Sequence, residues 1–134
     1  MYGILSAFFA SLVAILSKFG LKKIDPTLAT TVRSLVMFLF LLGVIFFQKK
    51  ISSVDQIKSQ DYIYIILAGI AGALSWIFYF LALKSGEATK VAALDRLSIV
   101  FILLFGLLFL AEKFTWKVLI GVIAITIGSI LVVI

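Results

Sequence analysis

The sequence contains neither cysteine nor histidine, and it has one proline and six acidic residues among 134. The absence of cysteine excludes disulfides, thiol catalysis and thiolate metal sites. Because histidine is also missing, the common transition-metal sites and the Ser-His and Cys-His nucleophilic pairs cannot be assembled. We therefore expect a protein that is not an enzyme and that holds no metal or other cofactor.

Hydrophobic residues make up 64% of the chain, and charged residues make up 13%. The long charge-free windows lack the alternation of barrel strands, which favours transmembrane helices. A bilayer core of about 30 Å requires about 20 mainly apolar residues per helix. The sequence therefore predicts an all-α membrane protein whose five transmembrane helices lie in a lipid bilayer, at about 2–20, 27–48, 62–83, 90–111 and 115–134.

Local signals mark the ends of these predicted spans. Asp25 has the side chain of a helix N-cap, and Pro26 suits the first helical position, where its missing N–H has no partner to lose. Thr115 is a similar cap for the fifth span, and Gly86 marks the turn between the third and fourth. The connections are too short to hold a soluble domain, so a single five-helix domain over residues 1–134 is expected.

The lysines that flank the spans are balanced between the two membrane faces. Orientation normally follows an excess of Lys and Arg on the cytoplasmic side, and these loops give almost no such instruction. Either a short chain is balanced by chance, or it inserts both ways and pairs with an inverted copy of itself. The net charge of +6 is spread over both faces and predicts no nucleic-acid partner. The N-terminal face holds Lys49, Lys50, Lys58, Lys113 and Lys117, and the other holds Lys18, Lys22, Lys23, Lys84 and Lys90.

Arg33, Asp95 and Arg96 lie inside predicted spans. A charge in the bilayer costs at least about 2.5–3.5 kcal/mol, so these side chains are expected to face the protein interior or a wet cavity. Arg33 and Asp95 enter from the same face to a similar depth, which allows them to pair. Two roles remain open: a salt bridge that fixes packing, or a site where Asp95 neutralises one arginine and the other holds a carboxylate or phosphate. Asp95 is also the candidate for proton coupling, as the only acid well inside a span.

Trp76 and Tyr79 are three residues apart on the third span and therefore share a helix face. One interpretation is that they are packing or lipid-facing aromatics. The other is that they form a cavity wall that stacks on substrate, with Ser75 beside them.

Three segments carry a family resemblance when their order and spacing are taken together. The first is "DPTLATTVRSLVMFLFLL", which contains Pro26, and the second is "YFLALKSGEATKVAAL", which contains Gly86. The third, "LFLAEKFTWKVLIGVIAITIGSILV", contains Glu112, Gly121 and Gly128. The chain thereby resembles an EamA domain of the drug/metabolite transporter superfamily. Glu112 has a second interpretation that does not depend on the family, as a solvated loop acid beside Lys113.

The resemblance implies a fold and a mode of action. Most family members carry two such domains in tandem, giving ten helices, so this chain corresponds to one half of that fold. Many members also have a proline in the fourth helix near the position of Asp95 and Arg96, and none is present here. A single five-helix unit can reproduce the inverted arrangement of two halves as an antiparallel homodimer, which supports alternating access.

The resemblance therefore implies a secondary transporter in a bacterial or archaeal cytoplasmic membrane, acting on a small polar or amphoteric metabolite. One alternative is a non-transporting assembly or regulatory subunit in which the charges only fix packing. Another is an exporter of drugs or lipophilic compounds. The small multidrug-resistance relatives use a glutamate in the first helix, and the first span here contains no acid.

Overall fold

A computed structural model describes residues 1–52, 57–113 and 115–134. These residues form α-helices joined by short connections, which confirms the all-α prediction. Five segments are long and apolar enough to cross a membrane, since α4 and α5 together make one span over Ala88–Phe109. The helices are α1 Tyr2–Gly20, α2 Pro26–Phe47, α3 Ser59–Ser85, α4 Ala88–Asp95, α5 Ser98–Phe109 and α6 Trp116–Val133.

The predicted caps begin α2 and α6. The Asp25 side chain accepts hydrogen bonds from the backbone N–H groups of Thr27 at 2.9 Å and Leu28 at 3.1 Å, and Pro26 is the first residue of the helix. The hydroxyl of Thr115 accepts from the N–H of Val118 at 3.4 Å. Each cap satisfies N–H groups that have no partner within their own helix.

Residues Ser17–Lys84 form one of two units into which the chain divides. The end of α1 meets the end of α3 here, and Leu21, Phe80 and Leu83 are almost completely buried. The ammonium group of Lys18 donates a hydrogen bond to the carbonyl oxygen of Leu83 at 2.7 Å. The last four carbonyls of a helix lack partners within it, so this lysine acts as a C-terminal cap of α3.

Residues Met1–Leu16 and Ser85–Ile134 form the other unit. In it, α6 packs against both α4 and α5, with Val91 and Val122 buried at 7% exposure each. The ammonium group of Lys90 donates to the carbonyl oxygen of Val133 at 3.1 Å. A lysine from a neighbouring helix thus caps a membrane helix in this unit too, and the cap fixes the start of α4 against the end of α6.

The fourth span is interrupted close to its middle, although the sequence has no proline there. Its turn is closed by hydrogen bonds that run three residues back, as in a 3₁₀-helix, in place of the four-residue spacing of an α-helix. Asp and Ser flank the turn and are weak helix formers, which permits the interruption. The N–H of Arg96 donates to Ala93, Leu97 to Leu94, Ile99 to Arg96 and Val100 to Leu97, at 3.2, 3.0, 3.2 and 3.0 Å.

In the described part of the chain, two non-glycine residues adopt left-handed backbone conformations, each just past a helix end. Lys49 has a φ of 54° after α2, and Ala111 has a φ of 50° after α5. Beside the first, the N–H of Lys50 donates to the carbonyl of Ile45 at 3.1 Å, the bond of a Schellman motif. Glycine is the usual residue at such positions, so both carry steric strain that glycine would relieve.

We expect Ala111→Gly to raise the free energy of unfolding by about 0.5–1 kcal/mol, because relief of left-handed strain exceeds the added backbone entropy of the unfolded chain. Ala71→Gly, inside α3, is the matched control and should lower it by about 0.5–1 kcal/mol. Thermal unfolding in a mild detergent measures both. Equal destabilisation by the two changes would contradict a left-handed Ala111.

Candidate functional site

Arg33 lies on α2, seven residues after Pro26 and so roughly 10 Å along the helix axis. Its side chain is half-buried, and the guanidinium carbon Cζ lies 3.6 Å from the centroid of the Trp76 ring. The same carbon is 5.8 Å from the centroid of Phe80. At 3.6 Å the cation lies on the face of the indole, which is a close cation–π contact.

Trp76, Tyr79 and Phe80 form an aromatic cluster on α3. The Trp76 ring centroid lies 5.4 Å from that of Tyr79 and 5.7 Å from that of Phe80, both in edge-to-face geometry at 73° and 89°. Residue spacings of three and four place the rings on one helix face, as the sequence predicts for the first pair. Phe80 is 2% exposed and anchors the cluster in the core of its unit.

The aromatic cluster lowers the cost of placing Arg33 in a membrane. An arginine at the centre of a transmembrane helix costs about 2.5–3.5 kcal/mol. A desolvated cation–π contact recovers about 2 kcal/mol of this, and it leaves the charge in place. In the described part of this unit, the acidic side chains are engaged at helix starts. The carboxylate of Asp25 caps α2, and that of Asp61 accepts a hydrogen bond from the Lys58 N–H at 3.3 Å.

Ser75 precedes Trp76 in the chain but is exposed. Its predicted place in a cavity wall stays a prediction. The structure brings Trp76 and Tyr79 together, and the ring face of Trp76 that Arg33 covers is not available to a stacking ligand. Trp76 thus supports the arginine through one ring face, and its role in stacking on substrate stays a prediction.

Asp95 and Arg96 lie at the interruption of the fourth span and are both exposed. Arg96 is the C-cap of α4, and Asp95 stands two residues before Leu97, the N-cap residue of α5. A cation near a helix C-terminus and an anion near a helix N-terminus are each favourable by about 0.3–1 kcal/mol. Arg96 is therefore favourably placed at the C-terminus of α4, whereas Asp95 is the last residue of α4 and gains from the N-terminus of α5 alone.

The structure places Arg33 and Asp95 in different units, and within its own unit Arg33 contacts aromatic rings. The predicted pairing of these two residues stays a prediction. So does the role of Asp95 in proton coupling.

An apolar groove of about 350 Å³ runs between α5 and α6. Of its lining side chains, Thr126 is polar, and its hydroxyl donates to the backbone carbonyl of Val122 at 2.8 Å. The groove therefore offers little to a polar solute and suits a lipid chain or an apolar helix. Its lining residues are Val100, Leu103, Leu104, Leu119, Val122, Ile123, Thr126 and Ile127.

Comparison with known proteins shows which family the chain resembles. The EamA-like transporter family matches residues 1–134. The chain belongs to the EamA family. It is also similar, at 36% identity, to a Sinorhizobium sp. protein described as "Uncharacterized transporter in cobO 3'region", over 97% of this chain and 92% of that protein. No solved structure matches.

Family membership confirms the predicted type of protein. This EamA protein is a transporter of the drug/metabolite type and an integral membrane protein, with helices suited to a lipid bilayer. The inner membrane of a bacterium is consistent with the similar Sinorhizobium protein.

The family-pattern positions of this EamA chain take structural roles at helix ends and on one helix surface. Pro26 is the first residue of α2, and Gly86 lies in the bend between α3 and α4. Gly121 and Gly128 lie exposed on α6, and within the described part of their own unit a methyl group at either would meet no atom within 4 Å. They are therefore free to allow close approach of another helix.

Glu112 folds back onto the end of α5. Its backbone N–H donates to the carbonyl of Gly106 at 3.1 Å, and a Cβ at Gly106 would lie 2.7 Å from its Oε2. Although Glu112 is exposed, its carboxylate occupies the space that a side chain at the buried Gly106 would need. The contact gives Glu112 a local role in addition to that of a solvated loop acid.

Four residues in these contacts escape prediction from the sequence. Phe80 is marked by its spacing of four from Trp76, and that spacing could have identified it. No sequence pattern identifies Gly106, because its partner Glu112 lies in the turn that follows α5. Lys18 and Lys90 resemble ordinary loop cations, since the carbonyls they cap are 65 and 43 residues away in sequence.

We expect the Gly106 and Glu112 substitutions to be non-additive. In a Glu112→Ala background, Gly106→Ala should raise the free energy of unfolding by about 1 kcal/mol, because alanine favours a helix over glycine by about that amount. In the wild type the gain should be smaller, because the new methyl displaces the carboxylate.

Gly121→Ala is the control, since its methyl meets open space and should have the same effect in both backgrounds. Chemical or thermal unfolding in detergent gives the four free energies of the cycle. An additive Gly106 cycle would show that the carboxylate does not rest on Gly106.

Proposed function

We propose that this EamA protein moves a small polar or amphoteric metabolite across the membrane by alternating access, as an antiparallel homodimer and without catalysing a chemical reaction. The observation that carries the proposal is the interruption of the fourth span at Asp95 and Arg96, where α4 gives way to α5. Secondary transporters bind their solutes at interrupted helices near the middle of the bilayer.

The interruption supports both binding and movement. A 3₁₀ turn within a helix often marks a hinge, because its hydrogen bonds are weaker than those of an α-helix. The turn also carries Asp95 and Arg96, and because both side chains are exposed, neither is buried in a packed core. We propose that α4 and α5 change their mutual angle during transport and that the charged pair meets the solute at the turn.

The charged residues suit a polar or amphoteric solute. Asp95 would balance one arginine, leaving the other for a carboxylate or phosphate group, and Asp95 would carry the proton if transport is proton-coupled. No metal is proposed. A drug or lipophilic-compound exporter is less consistent with charges placed at the interruption and with a first span that holds no acid.

Three observations support a homodimer built from a single five-helix domain. The similar Sinorhizobium protein, itself described as a transporter, matches along 92% of its length, so it has nearly the same length. The lysines are balanced between the two faces. Gly121 and Gly128, two helical turns apart, leave one face of α6 open to close approach.

Substitution of the charged residues tests transport. We expect Asp95→Asn and Arg96→Gln each to reduce solute flux into proteoliposomes at least about tenfold, the effect of losing one charge-assisted hydrogen bond. Solutes would first be selected by a thermal-shift screen of metabolites, since a bound ligand stabilises the native state.

Lys23→Gln, at an exposed cation outside the spans, is the control and should transport normally. Size-exclusion and circular dichroism would establish that each variant is folded. Unchanged flux in both folded variants would remove the pair from the transport site. Loss of folding in both, with the control intact, would indicate that the charges serve helix packing.

Cysteine labelling tests the antiparallel arrangement. The natural chain has no cysteine, so Ser52→Cys and Ser85→Cys each provide one thiol, on opposite membrane faces by the span count. With an impermeant reagent applied to intact cells, each variant should react in a fraction of molecules, and lysis should expose the remainder. Complete reaction of one variant and none of the other would show a single orientation.

A further inference from the structure

We infer that Arg33, supported by the aromatic cluster, is the receptor for a carboxylate or phosphate group of the transported solute, and that Trp76 is its positioning residue. The inference rests on the proposed transport function and deepens it, because it assigns the solute to the class of small organic anions or zwitterions. It also assigns the anionic group of the solute to Arg33, while Asp95 balances Arg96 at the interruption.

A Cζ-to-centroid distance of 3.6 Å is that of a guanidinium lying flat on the Trp76 ring. The five N–H donors of arginine point outward in the plane of the group, whereas the contact with Trp76 uses its face. A carboxylate or phosphate binds a guanidinium through two parallel hydrogen bonds along that in-plane edge. Stacking and anion binding are therefore compatible on one arginine.

The aromatic cluster also fixes the direction of that edge. Trp76 is held by edge-to-face contacts with Tyr79 and Phe80, and Phe80 is buried. A guanidinium resting on a fixed ring loses less rotational freedom when it binds an anion than a free side chain does. Trp76 thus acts through Arg33, which makes it a positioning residue and not a ligand-stacking surface.

The charge at this place remains available for an anion. In the described part of its unit, the acids Asp25 and Asp61 are engaged at the starts of α2 and α3. Arg96, in contrast, stands beside Asp95 in the chain and is exposed. Because Arg33 is half-buried and less hydrated, its interaction with an anion is less screened than that of Arg96.

The same oxyanion chemistry occurs in lipid phosphates, so the experiment must separate the two sources. Arg33 lies roughly 10 Å from the start of α2 along its axis. That depth favours a solute that enters a cavity over a headgroup that stays at the surface. The two sources can be separated by experiment. In an uncharged detergent free of phospholipid, a site for soluble anions still binds them, whereas a lipid site has no ligand.

Trp76 provides its own reporter. The chain contains two tryptophans, so Trp116→Phe leaves Trp76 as the single one. In this variant, purified in an uncharged detergent, we would titrate succinate, glutamate and inorganic phosphate and follow tryptophan fluorescence. Choline and glycerol serve as the cationic and neutral comparisons.

We expect a saturable fluorescence change with at least one of the three anions and none with choline or glycerol. Adding Arg33→Gln should weaken the apparent affinity at least about tenfold, the loss of a charge-assisted hydrogen bond. Adding Lys22→Gln is the matched control, because Lys22 also lies over a ring, that of Phe19 at 5.6 Å, and it should leave the titration unchanged.

A second pair of variants covers the case in which Arg33→Gln fails to fold. Arg33→Lys keeps the charge but lacks the planar two-donor edge, so it should bind the anions several-fold more weakly. Trp76→Phe, followed by the thermal shift that the anions cause, should weaken binding and should not abolish it. Equal affinity in wild type and Arg33→Lys, or no response to any of the anions, would overturn the inference. A response only to phosphatidylglycerol in mixed detergent micelles would also overturn the inference, in favour of a lipid site.

Flux measurements distinguish failure of this inference from failure of the proposed function. If folded Arg33→Gln protein still transports a carboxylate at the wild-type rate, the anion receptor is wrong and transport stands. If anions bind at Trp76 and Arg33 as expected but no solute is moved by the wild type, transport is wrong and the binding site stands.

Discussion

The bilayer offers no water to a charged side chain or to a backbone carbonyl at a helix end, and the main polar contacts of this protein answer that constraint. Lysines from neighbouring helices cap the C-terminal carbonyls of α3 and α6. Side chains of Asp25 and Thr115 cap the N-terminal N–H groups of α2 and α6. Each unit is therefore held by a few directed hydrogen bonds in addition to apolar packing, which drives helix association only weakly in lipid.

The same constraint governs the charges inside the spans, and the two sites meet it in different ways. Arg33 is accommodated by an aromatic ring, which lowers the cost of the charge while leaving its hydrogen-bond donors in place. Asp95 and Arg96 lie at an interruption of the helix, where Arg96 is favourably placed at the C-terminus of α4. A charge that is tolerated without being neutralised can still act on a solute, and this connects the packing to the proposed transport.

The interruption of the fourth span forms without a proline. The family resemblance associates this place with a proline, which breaks a helix by removing an N–H. Here the break is made by two successive turns of three-residue spacing beside an acid and a serine. Unlike a proline, Arg96 and Leu97 keep their N–H groups, and both donate backbone hydrogen bonds within the turn.

The sequence alone determined the number of spans, the helix starts at Pro26 and Trp116, and membership of the family, because bilayer thickness and capping act through residues close together in the chain. It also identified the pair Trp76 and Tyr79, whose contact follows from helical spacing. Only the tertiary structure decided that Arg33 rests on Trp76 and that Lys18 and Lys90 cap distant helices. Those contacts join residues from 43 to 65 positions apart, and at such separations no local periodicity or propensity specifies which groups meet.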